Sequence, residues 1–358
     1  MNTQDILNRL DRSALDDTAP LTLKVGHLRV QIRALPPLMD ELRSYFADAV
    51  ADDGPVDARI DVLEGQALDP APDWQDWARE PGKTGRKDAY VDLQDARLIY
   101  KVRTGVTFLQ SADHIVAFGP TASHPNQVVN FINTQILNQC LREGWQICHA
   151  AAVTNGTRSL AIAGLSGGGK STSILRMMDL DNTRFVTNDR LMVQVGTPVP
   201  TGLGIPKHPR INPGTILGNP RLHPMLSKAE MERLHAMETD ELWDLEEKHD
   251  LLVPDIYGAD RIQYSAPLTD FWVLNWQRGG AEPTQVTQVD LATRPDLLSA
   301  IMKSAGPFYQ DQTGRFLQDS DPLDPAPYLA ALSGVTISEV SGRVDFDALA
   351  QIGAKLFE

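Results

Sequence analysis

A glycine-rich stretch near the middle of the chain has the residue types that a polyphosphate requires. The letters AGLSGGGKST span residues 163–172 and fit the Walker A, or P-loop, pattern G-x-x-x-x-G-K-[ST]. Glycines let backbone N–H groups converge on phosphate oxygens, and a helix that starts at the lysine adds the positive end of its dipole. The pattern therefore predicts a binding site for a nucleoside triphosphate.

Each position in this loop has an expected role. We expect Lys170 to bridge the terminal phosphates and the Ser171 hydroxyl to bind Mg²⁺. The predicted nucleotide-binding residues are Gly164, Ser166, Gly167, Gly168, Gly169, Lys170, Ser171 and Thr172. A chance glycine-rich turn is the alternative. Against it, the apolar run SLAIAG and the helical pattern STSILRMMDL supply the strand and the helix that the motif needs on either side.

An acidic residue follows the loop at the distance expected of a neighbouring strand. In RFVTNDRLM, Asn188 and Asp189 come 18 and 19 residues after Lys170, which suits a helix, a turn and a strand that returns by a right-handed crossover. We expect Asp189 to bind Mg²⁺ together with Ser171, or to take a proton during catalysis. The alternative is a solvent-facing Asn-Asp turn.

His149 is a third candidate, in the run CHAAAV that precedes the phosphate-loop strand. On its own, a histidine on an apolar strand is more often a hydrogen-bonded core residue than a catalytic one.

Basic residues further along are candidates for contact with a phosphoryl acceptor. Lys207 and Arg210 flank His208 in PKHPRINPG, and Arg190 is next to Asp189. We predict that Arg190, Lys207 and Arg210 bind a phosphate or carboxylate of the substrate. A solvated proline-rich loop is the alternative. Arg278 and Lys303 are weaker candidates because charged residues at the ends of elements are usually solvated.

The elements that must hold these residues change in character near residue 145. Alternating and strand-like runs before that point predict a small antiparallel sheet with at least one helix, and NQVVNFINTQILNQCLREG predicts an amphipathic helix. We therefore expect an α+β N-terminal domain over 1–144 and an α/β core over 145–320. A Pro-rich spacer with a C-terminal strand and helix is expected over 321–358. The charged pattern of residues 227–250 predicts one helix that opens with a Ser227–Glu230 capping box. We expect this helix to be a lid or an oligomer contact.

Composition limits the class of protein. The 358 residues carry 33 Lys and Arg against 47 Asp and Glu, a formal net charge of −14, which disfavours nonspecific binding to nucleic acid or to a membrane surface. Two cysteines are too few for a disulfide framework. The polar N-terminus lacks the apolar run of a secretory signal, and no stretch has the length of a membrane span. We therefore expect a soluble, cytoplasmic protein.

The chain resembles the HPr kinase/phosphorylase superfamily, whose kinase core is related to phosphoenolpyruvate carboxykinase. The resemblance is carried by CHAAAVTNGTRSLAIAGLSGGGKST, RFVTNDRLM and DIYGADRIQYSAPLTDFWVLNW, and is closest to the diverged HPr kinase-related proteins of bacteria. It implies an α/β P-loop kinase core of HPr kinase / phosphoenolpyruvate carboxykinase type, preceded by a small α+β N-terminal domain. It also implies ATP and Mg²⁺ as cofactors and, because such relatives are usually multimers, a homo-oligomer.

The resemblance implies roles for His149, Lys170, Asn188 and Asp189 in catalysis. His149 and Asp189 match the family's histidine and the second Asp of its Asp pair, but Asn188 stands where the first Asp activates the acceptor hydroxyl. Asn takes no proton, so the base is Asp189, His149 or a residue outside the motif. The family's R-G-x-G segment, which contributes to recognition of HPr, has no counterpart here.

These observations predict an ATP- and Mg²⁺-dependent kinase that transfers the γ-phosphoryl group to a hydroxyl of a protein or peptide serine, or of a small metabolite. A nucleotide-binding regulatory protein or weak NTPase, in which Asn188 marks lost transfer, is the second hypothesis. A carboxykinase-like lyase is the third, and it needs a second metal site that the sequence does not clearly contain.

Overall fold

The chain folds into two compact units. The computed structural model describes residues 1–78, 84–164 and 168–358. One unit comprises residues 1–144 and 304–323, and the other comprises residues 145–303 and 324–358. Residues 304–323 thus belong to the first unit although the segments on both sides of them belong to the second, and no local sequence pattern predicts this.

The first unit contains a sheet that three α-helices accompany in the described ranges. Its elements are α1 (Thr3–Leu7), β1 (Leu21–Val25), β2 (Leu28–Arg33), α2 (Pro36–Tyr45), β3 (Ala58–Glu64), β4 (Gln75–Asp76), β5 (Asp88–Asp92), β6 (Ala96–Lys101), β7 (Thr107–Ser111), β8 (Ile115–Gly119) and α3 (Pro125–Arg142), with short 3₁₀ turns at Ser13–Leu15 and Ala47–Ala49.

The sheet of this unit is mixed, so the prediction of an antiparallel sheet is wrong in part. Its strand order among the described residues is β1-β2-β3-β8-β7-β6-β5-β4. β3 lies parallel to both β2 and β8, and the other pairs are antiparallel. The physical reason is the helix α2 between β2 and β3, because a parallel pair requires a crossover that a hairpin does not provide.

Arg97 attaches the segment 304–323 to the first unit. Its side chain is fully buried, and its guanidinium donates to the carboxylate of Asp92 (2.5 and 3.0 Å), to the carbonyl of Pro307 (3.1 Å) and to that of Leu317 (2.8 Å). The guanidinium carbon also lies 4.7 Å from the ring centre of Phe316. Buried charge is tolerated here because its hydrogen bonds are made.

The second unit contains the predicted site. Its elements are β9 (Gln146–Cys148), β10 (Ala150–Thr154), β11 (Ser159–Gly164), α4 (Lys170–Met178), β12 (Arg184–Thr187), β13 (Leu191–Gln194), β14 (Thr201–Gly204), β15 (Arg210–Ile211), α5 (Pro213–Leu217), α6 (Lys228–His235), α7 (Thr239–Asp244), β16 (His249–Asp250), α8 (Val253–Tyr257), β17 (Ser265–Pro267), β18 (Asp270–Leu274), β19 (Gln285–Gln288), α9 (Pro295–Ile301), α10 (Pro325–Ala331), β20 (Thr336–Ser341) and α11 (Phe346–Phe357), with 3₁₀ turns at Pro220–Met225 and Leu291–Thr293.

Three sheets form within the described part of this unit. Their strand orders are β12-β10-β11-β18-β20-β19, β17-β14-β13-β9 and β15-β16. In the first, β11 and β20 each lie parallel to β18, and the remaining pairs are antiparallel. The chain is therefore a mixed α/β protein with several sheets, as the sequence predicts at that level.

Both faces of the six-stranded sheet are buried, which explains why its strands are apolar at successive positions. On β11, Leu160 and Ile162 join a core with α4 and α11, whereas Ala161 and Ala163 join a core with α9 and α10. Side chains alternate along a strand, so a covered strand needs apolar residues at every position. The sheet thus holds the end of β11, where the glycine-rich stretch begins, between helices.

Two predicted elements differ from the sequence-based expectation. The charged run 227–250 forms α6, α7 and β16 rather than one helix, although its Ser227–Glu230 capping box is present. The proline-rich run after β14, whose prolines and glycines predict a long loop or a series of turns, contains β15, α5 and a 3₁₀ turn, since Pro213 begins α5 and Pro220 begins the turn. None of the helices in the described ranges combines the length and the apolarity needed to cross a bilayer.

Candidate functional site

The glycine-rich loop joins β11 to α4. Its predicted residues Ser166 and Gly167 lie outside the described residues, whereas β11 ends at Gly164 and α4 begins at Lys170. A Cβ atom on Gly164 would stand 3.0 Å from the Cβ of Leu274, the residue opposite it on β18. Close packing of the two strands therefore favours glycine at this position.

Gly169 is constrained more tightly. It caps α4 at φ +89°, in the left-handed region that favours glycine, and an added Cβ would stand 2.7 Å from the Phe346 ring. The indole N–H of Trp276 donates to the Gly168 carbonyl (2.9 Å). Trp276 and Trp243 both pack on Phe346, with ring centres 5.2 and 5.8 Å apart. This aromatic cluster (Trp243, Trp276 and Phe346) supports the end of the loop.

His149 and Asp189 lie where the chain passes between two sheets. His149 lies between β9 of the four-stranded sheet and β10 of the six-stranded sheet. Asp189 lies between β12 of the six-stranded sheet and β13 of the four-stranded sheet. The backbone N–H of His149 donates to the carbonyl of Ile301 (2.7 Å), which fixes the residue at this junction. Two chain crossings at one junction bring together residues forty positions apart.

At this junction one histidine nitrogen meets two charged groups. The Nε2 atom of His149 lies 3.1 Å from Nζ of Lys170 and 3.3 Å from Oδ1 of Asp189. The nitrogen accepts a hydrogen bond from the ammonium group or donates one to the carboxylate, but it does not do both at once. The three side chains therefore form one small polar group at the start of α4.

Neighbouring cations keep Asp189 ionised. Burial raises the pKa of Asp189, but the hydrogen bond with His149 and the charges of Arg190 and Lys303 outweigh it and hold the pKa well below its usual range. Burial lowers the pKa of Lys170, and the positive charge of Lys303 lowers it further, whereas the negative charge of Asp189 raises it. The Nε atom of Arg190 lies 3.6 Å from Oδ2 of Asp189. Asp189 is thus an anion set among cations.

A pocket of about 330 Å³ opens beside these residues. Its lining residues are Lys170, Ser171, Thr187, Asn188, Asp189, Ile205, Lys207, His208, Arg210 and Lys248. The structure therefore brings six predicted site residues to one pocket: Lys170, Ser171, Asn188, Asp189, Lys207 and Arg210.

Other predicted residues contact the site indirectly. The Thr172 hydroxyl lies 2.8 Å from that of Thr215 on α5, in the protein interior, and so joins the start of α4 to the next layer. Arg190 reaches the site through Asp189, as its ion pair shows. Arg278 is exposed and pairs with Asp244 (3.1 Å).

Asn188 presents an unsatisfied acceptor. Its Oδ1 atom is buried, and no hydrogen-bond partner for it exists among the described residues. A buried polar atom without a partner costs free energy unless a ligand or an ion supplies one. In the wall of a pocket beside Ser171 and an ionised Asp189, this atom is suited to a bound hydroxyl or to a cation.

Sequence reasoning missed Lys248 and gave little weight to Lys303. The segment that ends at Lys303 runs beside β9: Met302 pairs with Cys148, and the Tyr328 hydroxyl donates to the carbonyls of Ile147 and Lys303 (3.0 Å each). This pairing explains why Lys303 acts on Asp189. A basic residue at the end of a predicted helix is the local signal for Lys303, and nothing local distinguishes Lys248 from other surface lysines.

The described residues contain no group of three or more His, Cys, Asp and Glu side chains that converge on one point. A Mg²⁺ ion held by one carboxylate, a hydroxyl and nucleotide phosphate oxygens does not need such a group, because Mg²⁺ commonly keeps waters and binds through few protein ligands.

Comparison with known proteins finds matches among solved structures. No family model matches the chain, and no curated protein matches it. Among solved structures, the Hpr(Ser) kinase/phosphatase from Coxiella burnetii is similar with a TM-score of 0.30 and 11% sequence identity, over 59% of this chain and 93% of that chain. A likeness of this size assigns neither a family nor an activity to this chain.

Proposed function

We propose that this protein is an ATP- and Mg²⁺-dependent kinase that phosphorylates a hydroxyl group. The observation that carries the proposal is the meeting of Lys170, His149 and Asp189 at the start of α4, beside the pocket that Ser171 lines. A cation for the phosphates, a base for the acceptor and oxygen ligands for a metal are the parts that phosphoryl transfer requires. The acceptor is a serine of a protein or peptide, or a small metabolite.

Nucleotide binding changes the role of His149 in this proposal. When Lys170 turns to the phosphate oxygens of ATP, Nε2 of His149 loses its ammonium neighbour and becomes free to accept a proton. Asp189 is a poor proton acceptor because its pKa is held low. We therefore assign the general base to Nε2 of His149, a role that this nitrogen has only when it carries no proton and so donates none to Asp189.

Phosphoryl transfer exchanges one phosphorus–oxygen bond for another. The acceptor oxygen forms a bond to the γ-phosphorus while the bond from that phosphorus to the bridging oxygen breaks, and ADP leaves with the electron pair. The hydroxyl proton passes to Nε2 of His149 and later to water. Asn188 takes no proton, so it is not the base in this step.

The oxygen atoms at the site suit a magnesium ion. The Ser171 hydroxyl and the ionised Asp189 carboxylate would hold it, and the orphaned Oδ1 of Asn188 adds a further neutral oxygen. When bound, Mg²⁺ neutralises charge on the phosphates.

Labelled phosphoryl transfer tests this proposal. Purified protein is incubated with γ-labelled ATP and Mg²⁺, with and without a desalted lysate of the source cells as acceptor pool. We expect a labelled product, and we expect Lys170→Ala to lower its rate on the order of 10²-fold or more, since phosphate-binding cations act directly on the transferred group. Lys228→Ala is the matched control, because the Lys228 side chain is 92% exposed, and it should leave the rate unchanged.

The position of Asn188 favours a second function, a nucleotide-binding regulatory protein or weak NTPase. Asn188 lines the pocket at the position where the family resemblance implies an Asp that activates the acceptor hydroxyl. If ATP binds and Lys170→Ala abolishes binding, but only slow hydrolysis independent of acceptor appears, the kinase proposal fails and the regulatory function replaces it.

A further inference from the structure

The cations on one side of the pocket belong to an ordered scaffold rather than to a solvated loop. Arg210 begins β15, which pairs with β16, and Lys248 directly precedes β16. Ile211, the other residue of β15, is buried in the core of the unit. The Nδ1 atom of His208 faces the backbone N–H of Val253 at 3.5 Å, and His208 is itself buried. The positions of Lys207, Arg210 and Lys248 are thus set by the fold.

The pocket reverses the charge balance of the protein. The chain carries a formal net charge of −14, yet the pocket lining contains four cations, Lys170, Lys207, Arg210 and Lys248, and one carboxylate, Asp189. Arg210 shares its charge with Asp250 at 2.7 Å, and both side chains are about half exposed. Cations gathered at one concave site in an acidic protein attract anions there.

The nucleotide alone does not account for this excess. The pocket lies at the end of the loop where transfer takes place, because Lys170, Ser171, Asn188 and Asp189 line it. Of the loop glycines that the structure describes, neither Gly164, Gly168 nor Gly169 lines it. Arg210 lies on β15 and Lys248 directly before β16, rather than on the loop or α4, so a nucleotide held by the loop does not by itself require them.

We propose that the phosphoryl acceptor is a small hydroxyl compound that also carries a carboxylate or a phosphate group, bound by Lys207, Arg210 and Lys248. This inference rests on the kinase function proposed above. A volume of about 330 Å³ lies at the lower end of the range of small-molecule sites, roughly 300–1,000 Å³, and suits a γ-phosphoryl group beside a compact acceptor. The acceptor's hydroxyl oxygen forms the new bond to phosphorus, its proton goes to His149, and its anionic group is unchanged.

Binding of matched probes tests the inference. Glycerate and glycerol 3-phosphate carry a hydroxyl with a carboxylate or a phosphate, and glycerol carries hydroxyls alone. Each is titrated calorimetrically into the full chain, with and without Mg²⁺ and a non-hydrolysable ATP analogue. We expect at least one anionic probe to bind about tenfold or more tightly than glycerol. The stronger of the two identifies the anionic group.

Charge removal identifies the residues. The combined variant Lys207→Gln, Arg210→Gln, Lys248→Gln should weaken the anionic probe about tenfold or more and change the affinity for the ATP analogue less than about twofold. Lys228→Gln removes one positive charge at an exposed position outside the pocket and is the control for the loss of a surface charge. Melting temperature verifies that each variant is folded.

Three outcomes would overturn the inference. The anionic probes bind no more tightly than glycerol, the combined variant weakens the ATP analogue as much as the probe, or labelled phosphate passes to a neutral serine peptide with a higher kcat/KM than to any anionic small molecule. Failure of the kinase proposal is distinct: the ATP analogue does not bind, or no acceptor is labelled. The titrations without nucleotide then still decide whether the pocket binds anions.

Discussion

Two charged groups in this protein, Arg97 in the first unit and Asp189 in the second, are held by neighbours in opposite ways. Arg97 is fully buried, and its hydrogen bonds go to one carboxylate and two carbonyls while aromatic rings lie against it. Asp189 is 42% exposed in its side chain, shares a single histidine nitrogen with Lys170, and lines a pocket. The first arrangement is saturated and the second is not.

This difference is the one expected between a charge that stabilises the fold and a charge that serves a binding site. A saturated buried charge has no capacity left for a ligand, so its removal lowers stability. A site needs groups that can take a new partner when the ligand arrives, and the orphaned Oδ1 of Asn188 and the shared Nε2 of His149 allow this. Variants at the two places should therefore divide cleanly between stability and activity.

The largest expected effect is on stability, at Arg97. Arg97→Met should lower the free energy of unfolding by about 3–5 kcal/mol, because two buried carbonyls and the Asp92 carboxylate lose their donor. Urea denaturation followed by circular dichroism measures this. Arg315→Met, which removes an exposed arginine paired with Asp321, should cost at most about 1 kcal/mol.

If Arg97 acts on stability alone, Arg97→Met leaves the affinity of the folded protein for the ATP analogue unchanged. A tenfold weaker affinity at a temperature where the variant is folded would show that Arg97 acts on the site, and the division between the two charges would be lost.

Parts of the site could be predicted from the sequence because their signals are local. The loop from Gly164 to Ser171 is one continuous pattern, and Asp189 follows it by one helix and one strand. The contact of His149 with Lys170 and Asp189 needed the structure, since it depends on the chain crossing twice between two sheets. The same holds for Lys303, whose place is set by pairing with a strand far along the chain.

The fold follows the same division. The helix after the loop, the strand at 270–274 and the C-terminal helix have strong apolar periodicity, and the structure contains all three. The parallel pairs of β3 and the return of 304–323 depend on long-range packing, such as that around Arg97, which leaves no periodic trace in the sequence. The break of the charged run after His235 is likewise set by packing, in part by Trp243 on Phe346.

The next largest expected effect is at Gly169, which packs against the aromatic cluster at the end of the loop. Gly169→Ala should cost about 2–4 kcal/mol of stability, because Gly169 has a φ of +89° and the new Cβ would stand 2.7 Å from Phe346, whose ring is held by Trp243 and Trp276. The control is Gly279→Ala, at φ +71° with open space around the Cβ, which should cost only about 1 kcal/mol. Urea denaturation gives both values.

A double variant isolates the steric part. Phe346→Leu in the Gly169→Ala background should recover part of the loss, so that the two changes together cost less than their sum. Equal costs for the two glycine variants, or strict additivity with Phe346→Leu, would mean that the aromatic cluster does not constrain the loop.

The smallest expected effect is a pH dependence at Asp189. Its pKa in the folded protein lies below the ordinary value of 3.8, so the unfolded chain binds the proton more readily. Ionised Asp189 therefore contributes stability that is full above about pH 5 and is lost as the pH falls below about 4. Because the side chain is 42% exposed, solvent screening limits this contribution to roughly 1 kcal/mol.

Asp189→Asn keeps a hydrogen-bond acceptor for His149 but removes the charge. Wild type should be the more stable protein at pH 7, and the difference should shrink by about 1 kcal/mol, or about 2–4 °C in Tm, when both are measured at pH 3. A difference that stays constant between the two pH values would show that the carboxylate gains nothing from Arg190, Lys303 and His149. Asp189 would then be as inert toward its neighbours as an ordinary surface charge, and the contrast with Arg97 would reduce to burial alone.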